Sequence, residues 1–237
     1  MSQQDSDKLT DDASIAGTTV IIDTGCANLS SVRYAFERLL SADERKNLSV
    51  TDDIAAIKAA TRVVLPGVGT AGAAMASLRN KQLVQVIQSL TQPVLGVCLG
   101  MQMLTRLSKE RGATTEDCQC LGLIPIDIEE LDSKGLPLPH MGWNQITPSS
   151  HPIFDGINKG DYVYFVHSYR APIAEFTIAT AEHGEQFSAA IAKDNFIGFQ
   201  VHPEKSASVG ARMLKNFLSM STDTFNQQNH NSNQCEA

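Results

Sequence analysis

Along the first half of the chain, short runs of consecutive apolar positions alternate with stretches in which apolar residues recur every third or fourth place. Thr18–Asp23 (TTVIID) is a β-branched run and predicts the first strand. After the turn Thr24-Gly25-Cys26-Ala27, either Asn28 or Ser30 can cap a helix whose apolar stripe is Val32, Ala35, Phe36, Leu39 and Leu40. Leu48–Thr51 predicts a short strand, Asp52 and Asp53 open a short helix, and Arg62–Leu65 predicts another strand. Two helical stretches follow, around Ala73–Arg79 and Gln82–Leu90. In Pro93–Leu104 an apolar strand runs straight into a helix-forming segment, with Met101, Leu104 and Leu107 at helical spacing. Strands and helices alternating in this way predict a doubly wound parallel sheet, with the Cys98 segment near its middle. Loops at the carboxyl ends of such strands build the site.

The second half changes character. Leu123–Glu130, Gly142–Ile146, Asp161–His167, Phe176–Glu182, Phe187–Ala192 and Phe196–Val201 read as successive strands with short turns. Few helices separate them, so part of this half is expected to be antiparallel. Ala207–Leu218 is a closing amphipathic helix. The fold class is therefore α/β, a mostly parallel central sheet with antiparallel additions in the C-terminal half. No internal linker is visible, and residues 18–220 read as one domain. Residues 1–17 are polar and acidic, residues 221–237 are rich in Asn, Gln and Ser, and both are expected to be disordered.

Composition narrows the partners. A net charge of −7 over 237 residues argues against a nucleic-acid or acidic-membrane footprint. Hydrophobic residues make up 42%, with no run of membrane-spanning length. The N-terminal stretch has neither a basic region nor an apolar core of a signal peptide, so a cytoplasmic location is expected. The five cysteines (Cys26, Cys98, Cys118, Cys120, Cys235) are odd in number and lack zinc-finger spacing, which points to a reducing compartment without structural disulfides. His140, His151, His183 and His230 are scattered along the chain and read as exposed or structural, and no metal site is visible.

The chemistry concentrates at Cys98. It has a glycine two residues before it and another two after, between a strand and a helix. That is the pattern of a nucleophile elbow, with sulfur in place of the serine oxygen. The start of a helix also places unpaired N–H groups and a positive dipole end beside the sulfur, and the N–H of Leu99 faces the place where an oxyanion forms. The plain alternative is a small buried hydrophobe. A base is offered by Phe199-Gln200-Val201-His202-Pro203-Glu204-Lys205-Ser206. In extended chain His202 and Glu204 share a face, so His202 takes the thiol proton and Glu204 orients the imidazole. A surface turn is the alternative. The run Pro66-Gly67-Val68-Gly69-Thr70-Ala71-Gly72 formally matches GxGxxG. Its incomplete context makes it a weak nicotinamide-cofactor loop. The better use is a flexible loop lending an N–H from Val68 or Gly69 to an oxyanion hole, with a simple turn as the third reading.

Taken together, GVCLGMQ, HPEKS and PGVG resemble the class I (triad) glutamine amidotransferases. More narrowly, DTGCANLSS, PGVGTA, PHMGWN and YFVHSYR are similar to the glutaminase-subunit family of imidazole glycerol phosphate synthase, from about Thr18 to Met220. The resemblance implies a flavodoxin-like three-layer sandwich, and a reaction without cofactor. Cys98 would attack the glutamine amide, His202 would shuttle the proton and Glu204 would orient His202. Release of ammonia would leave a glutamyl thioester that water hydrolyses to glutamate. Gly67, Gly69, Gln102, His167, Ser168 and Tyr169 match glutamine-binding positions. For His167 a packed core histidine remains a second reading, and for Gln102 a polar residue on an exposed helix side. The family works as a heterodimer, passing ammonia to a (β/α)8-barrel cyclase subunit that makes imidazole glycerol phosphate and aminoimidazole carboxamide ribotide. Trp143 and Lys205 match the subunit boundary, against plain readings as core filler and solvated charge. In this family the peptide at Val68 is proposed to reorient when the partner binds its nucleotide, and a glycine on each side of Val68 is consistent with that. Val201 departs from the aromatic common before the histidine. Related glutaminases of pyridoxal phosphate or anthranilate synthesis, and a non-catalytic protein of the same fold, are the competing readings.

Overall fold

The β-branched runs form strands where the sequence places them. In chain order these are β1 (Thr19–Ile22), β2 (Leu48–Thr51), β3 (Arg62–Gly67) and β4 (Val94–Cys98). They are interleaved with α1 (Leu29–Glu37), α2 (Ile54–Ala59), α3 (Ala71–Asn80), α4 (Leu83–Gln88) and α5 (Leu99–Leu104). The second half supplies β5 (Thr105–Ser108), β6 (Cys118–Gln119), β7 (Ile124–Glu130), β8 (His140–Gln145), β9 (Thr147–Pro148), β10 (Tyr162–His167) and β11 (Tyr169–Arg170). It closes with β12 (Thr177–His183), β13 (Glu185–Lys193), β14 (Phe196–Phe199) and α6 (Ala207–Leu218). The computed structural model describes residues 15–25, 28–110 and 116–221. Most of both terminal segments expected to be disordered, together with Cys26, His230 and Cys235, lies outside the described residues.

Eight strands form the central sheet in the order β2-β1-β3-β4-β14-β13-β12-β9. Its first five members are parallel and the last three alternate antiparallel, which is the change of character the second half predicts. β4 is fourth of the eight, so Cys98 stands near the centre of the sheet. Parallel strands are covered on both faces and therefore read as continuous apolar runs. Ile21, Val64, Leu95 and Ile197 face one core with Phe36 of α1 and Phe217 of α6. Val20, Ile22, Val63, Leu65 and Val94 face the other, beneath α2 to α5.

Helix starts follow side-chain caps. The Asn28 Oδ1 accepts from the Ser31 N–H at 3.3 Å, settling the choice between Asn28 and Ser30. Asp53 caps α2 through the Ala56 N–H at 2.7 Å. One expectation fails at the end of α5. The helix stops at Leu104, and Leu107 lies in β5, parallel to β7 in a separate four-stranded sheet of order β11-β7-β5-β6. The β-branched Thr105 leaves the helix with extended backbone (ψ 179°), its hydroxyl donating to the Gln102 carbonyl at 2.7 Å.

Candidate active site

β4 carries Cys98 to the carboxyl edge of the sheet, and the chain turns there within one residue into α5. Cys98 has φ 52° and ψ −111°, a positive φ that non-glycine residues rarely hold. The flanking glycines allow it by close approach. A Cβ on Gly96 would sit 2.7 Å from the backbone of Gly100, and one on Gly100 would sit 1.8 Å from the Leu65 carbonyl oxygen. Gly67, expected among the glutamine ligands, packs against the Gly100 nitrogen and does not line the pocket around Cys98.

β14 pairs parallel with β4 and delivers His202 beside the sulfur. The extended geometry expected for His202 and Glu204 is not what joins them. Pro203–Lys205 forms a single 3-10 turn, which folds Glu204 back so that its Oε1 meets His202 Nδ1 at 2.8 Å. Both side chains are buried, and Glu204 Oε2 has no hydrogen-bond partner among the described residues, leaving the imidazole as the carboxylate's partner. Burial alone would disfavour the imidazolium. Hydrogen bonds to Cys98 and Glu204, with their negative charge, outweigh it and push His202 up to about 10. With Nδ1 on Glu204, Nε2 is the atom left to face the sulfur.

These groups open on a cavity of about 390 Å³. It is lined by Val68 and Gly69, by Leu99 and Gln102, and by a wall of Val166 to Tyr169. Gly69 has φ +90°, and a Cβ there would meet nothing within 4 Å, so backbone conformation and not space is what requires glycine. Gln102 is buried, contrary to its reading as an exposed helix residue, and its Nε2 donates to the Tyr169 carbonyl at 3.2 Å. Lys205 also borders the cavity, with Nζ 5.5 Å from the centre of the Tyr164 ring.

Glu110 is a pocket residue that the sequence reading does not single out. Its Oε2 accepts from the Ala71 N–H at 3.0 Å, and burial holds its carboxyl above the usual range against that bond. It follows β5, the segment taken for continuing helix, so neither motif nor periodicity points to it.

The antiparallel pair β8 and β10 forms the wall's outer ribbon. One side carries Met141, Trp143 and Tyr162, all exposed, with the Trp143 ring edge-on to Tyr164 at 5.9 Å. Trp143 is therefore not core filler. The other side carries His140 and His167, which are buried among Phe165 and Phe187. His140 stacks on His183 with ring centres 4.2 Å apart, so these two, far apart in sequence, meet in space. His167 is packed in this cluster and also lines the pocket. Its Nδ1 lies 2.9 Å from the Tyr169 carbonyl and must carry the hydrogen, because a carbonyl only accepts. Burial lowers His167 to about 3 and His140 to about 4, so both are neutral. His167 Nε2 then accepts from His140 Nδ1 at 3.0 Å, and His140 Nε2 accepts from the Asn144 amide at 3.2 Å.

A cysteine on a strained elbow, with an adjacent imidazole held by a carboxylate beside an open pocket, can perform acyl transfer from an amide through a thioester. The family model for glutamine amidotransferase class-I matches residues 20–220, and the chain belongs to that family. A solved structure of a provisionally assigned GMP synthase component from Thermoplasma acidophilum shares the fold, with a TM-score of 0.64 at 14% identity over 91% of this chain and 98% of that one. Within the family the chain groups with the imidazole glycerol phosphate synthase subunit HisH. It is 67% identical over 221 residues to that protein from Shewanella loihica, covering 91% of this chain and 96% of the relative. It is 51% identical over 220 residues to its counterpart from Colwellia psychrerythraea, covering 88% and 96%. The chain is thus a glutamine amidotransferase, and the nicotinamide reading of Gly67–Gly72 is set aside.

Proposed function

We propose that this chain is the glutaminase subunit of imidazole glycerol phosphate synthase, hydrolysing L-glutamine in the pocket at Cys98. The observation that carries the reading is the Cys98–His202–Glu204 constellation, with His202 bonded to Glu204 at 2.8 Å and hydrogen-bonded to Cys98, both bordering one open pocket. The sulfur attacks the amide carbon, and the N–H groups of Leu99 and of Val68 or Gly69 receive the oxyanion. The C–N bond breaks as the His202 imidazolium gives its proton to the departing ammonia. Water, deprotonated by His202, then cleaves the glutamyl thioester to glutamate and returns the sulfur. The Glu110 carboxylate and the Gln102 amide oxygen suit the substrate's α-ammonium group, while Ser168 and Tyr169 hold its carboxylate end.

The ammonia passes to a cyclase barrel seated over the exposed Met141–Trp143–Tyr162 face and Lys205. A cytoplasmic setting accords with this pathway, and among the described residues no helix is long and apolar enough to cross a membrane. The test is glutamate release from glutamine by the purified chain, alone and then with a cyclase barrel loaded with its ribonucleotide ligand. Low activity that rises with the liganded partner is expected. Strong activity that ignores the partner would assign the chemistry to another pathway, and no activity in either condition would overturn the hydrolase reading.

A further inference from the structure

Gln200 is completely buried, one residue past the end of β14 and two before His202, and both ends of its amide are committed. One atom faces the Cys98 sulfur at 3.9 Å, and the other meets the Gln102 amide at 3.1 Å. The orientation of both amides can be deduced. The Tyr169 carbonyl only accepts, so the Gln102 atom touching it is Nε2, and the same Nε2 touches Gln200. The Gln200 atom on that side must therefore be Oε1, which leaves its Nε2 toward the sulfur. The Tyr169 carbonyl is itself fixed by the His167 Nδ1–H at 2.9 Å, with His140 and Asn144 behind it. Reversing Gln102 would set its oxygen against the Tyr169 carbonyl and Gln200 Oε1, and reversing Gln200 would set nitrogen against nitrogen and bring a carbonyl oxygen up to a sulfur that gathers negative charge.

We infer that Gln200 is a positioning residue, directing an N–H at the Cys98 sulfur while locking Gln102 with its carbonyl oxygen toward the substrate. The two halves of its amide thus do separate jobs. The acceptor half sets how glutamine is bound, and the donor half supports the sulfur as it attacks and leaves. This inference rests on the glutaminase reading above, and the wild-type assay separates the two: if wild type does not hydrolyse glutamine, that reading fails first.

With wild type active, Gln200→Met and Gln200→Glu are compared by steady-state kinetics at pH 8, with a thermal melt to establish folding. Gln200→Met, close in volume but with neither amide atom, is expected to raise KM about fivefold and lower kcat about tenfold. Gln200→Glu keeps the acceptor for Gln102 but loses the donor, so KM stays within about twofold while kcat falls at least as far. A role in packing alone would not split the two constants this way, and equal kcat losses with identical KM changes in both variants would overturn the inference. A measurement on the wild-type chain covers variants that fail to fold. Alkylating Cys98 with iodoacetamide should shift the Gln200 side-chain amide resonances in nitrogen–proton spectra and leave those of Asn216, bonded to Ile153 and Asp155 carbonyls, in place. Gln200 resonances that do not move would overturn it as well.

Discussion

Cys98 keeps its positive φ because the surrounding backbone leaves no other path, and this strain presents the sulfur to the pocket and not to the core. The site's chemistry then depends on a single atom. Cys98→Ala should lower glutamine hydrolysis by about 10⁴-fold or more while the melting temperature stays near that of wild type, since only a half-buried sulfur is removed. Appreciable glutamate release by that variant would remove the thioester mechanism. Gly100 fails for a different reason. Its added methyl would overlap the Leu65 carbonyl oxygen at 1.8 Å, and that oxygen belongs to a central strand that cannot yield. Gly100→Ala should cost about 3 kcal/mol or more of unfolding free energy, read from urea denaturation, and lose activity with it.

At the scale of elements, what was legible followed from local chemistry. β-branched runs marked β1 to β4 to within a residue or two, and α6 was placed to the residue because its apolar stripe begins and ends sharply. Leu107 was misread because Thr-Arg-Leu-Ser continues a helical spacing that ψ 179° at Thr105 interrupts. β6, β9 and β11 have two residues each, too short to show any period. The nucleophile, base and orienter were readable because each lies in a local motif. Glu110 and Gln200 were not, because their importance comes from what β4, β5, β11 and β14 bring together in space. The same holds for Arg62, which the sequence showed only as the start of a strand. Its side chain is buried, donating to the α6 carbonyl of Leu218 at 2.9 Å and to the Ala16 carbonyl, so it ties the segment just before β1 and the end of α6 to the sheet. It lies at the opposite end of β3 from Gly67, about 17 Å from the site by strand rise. Arg62→Met should lower stability by about 2–3 kcal/mol in urea with glutaminase kinetics unchanged. A parallel loss of kcat would show that the two edges of the sheet are coupled.

For the whole molecule, the arrangement of histidines sets a pH optimum of stability. His140 and His167 are buried and His151 is half-buried, with no carboxylate partner among the described residues, and desolvation lowers them to about 4, about 3 and about 4 respectively. Unfolded, each titrates near 6.5, so below that pH the unfolded chain takes up protons that the folded one refuses. Stability present above about 6.5 is therefore lost as pH falls toward 4. Asp127, Glu129 and Glu185, held low by their Arg106, Lys109 and Arg170 partners, act in the same direction but only in the more acidic carboxylate range. His202 has the opposite sign. Its folded value of about 10 lies above the unfolded one, so its contribution is complete below about 6.5 and is lost as pH rises through 10. The two limbs meet near pH 6.5, where the urea midpoint should be highest. His202→Gln should flatten the alkaline limb alone, because the acid limb belongs to the β8–β10 cluster and His151. A midpoint that stays level from pH 6.5 to 4.5 would mean that those buried imidazoles accept protons without cost, and the neutral hydrogen-bond chain from Asn144 to Tyr169 would have to be redrawn.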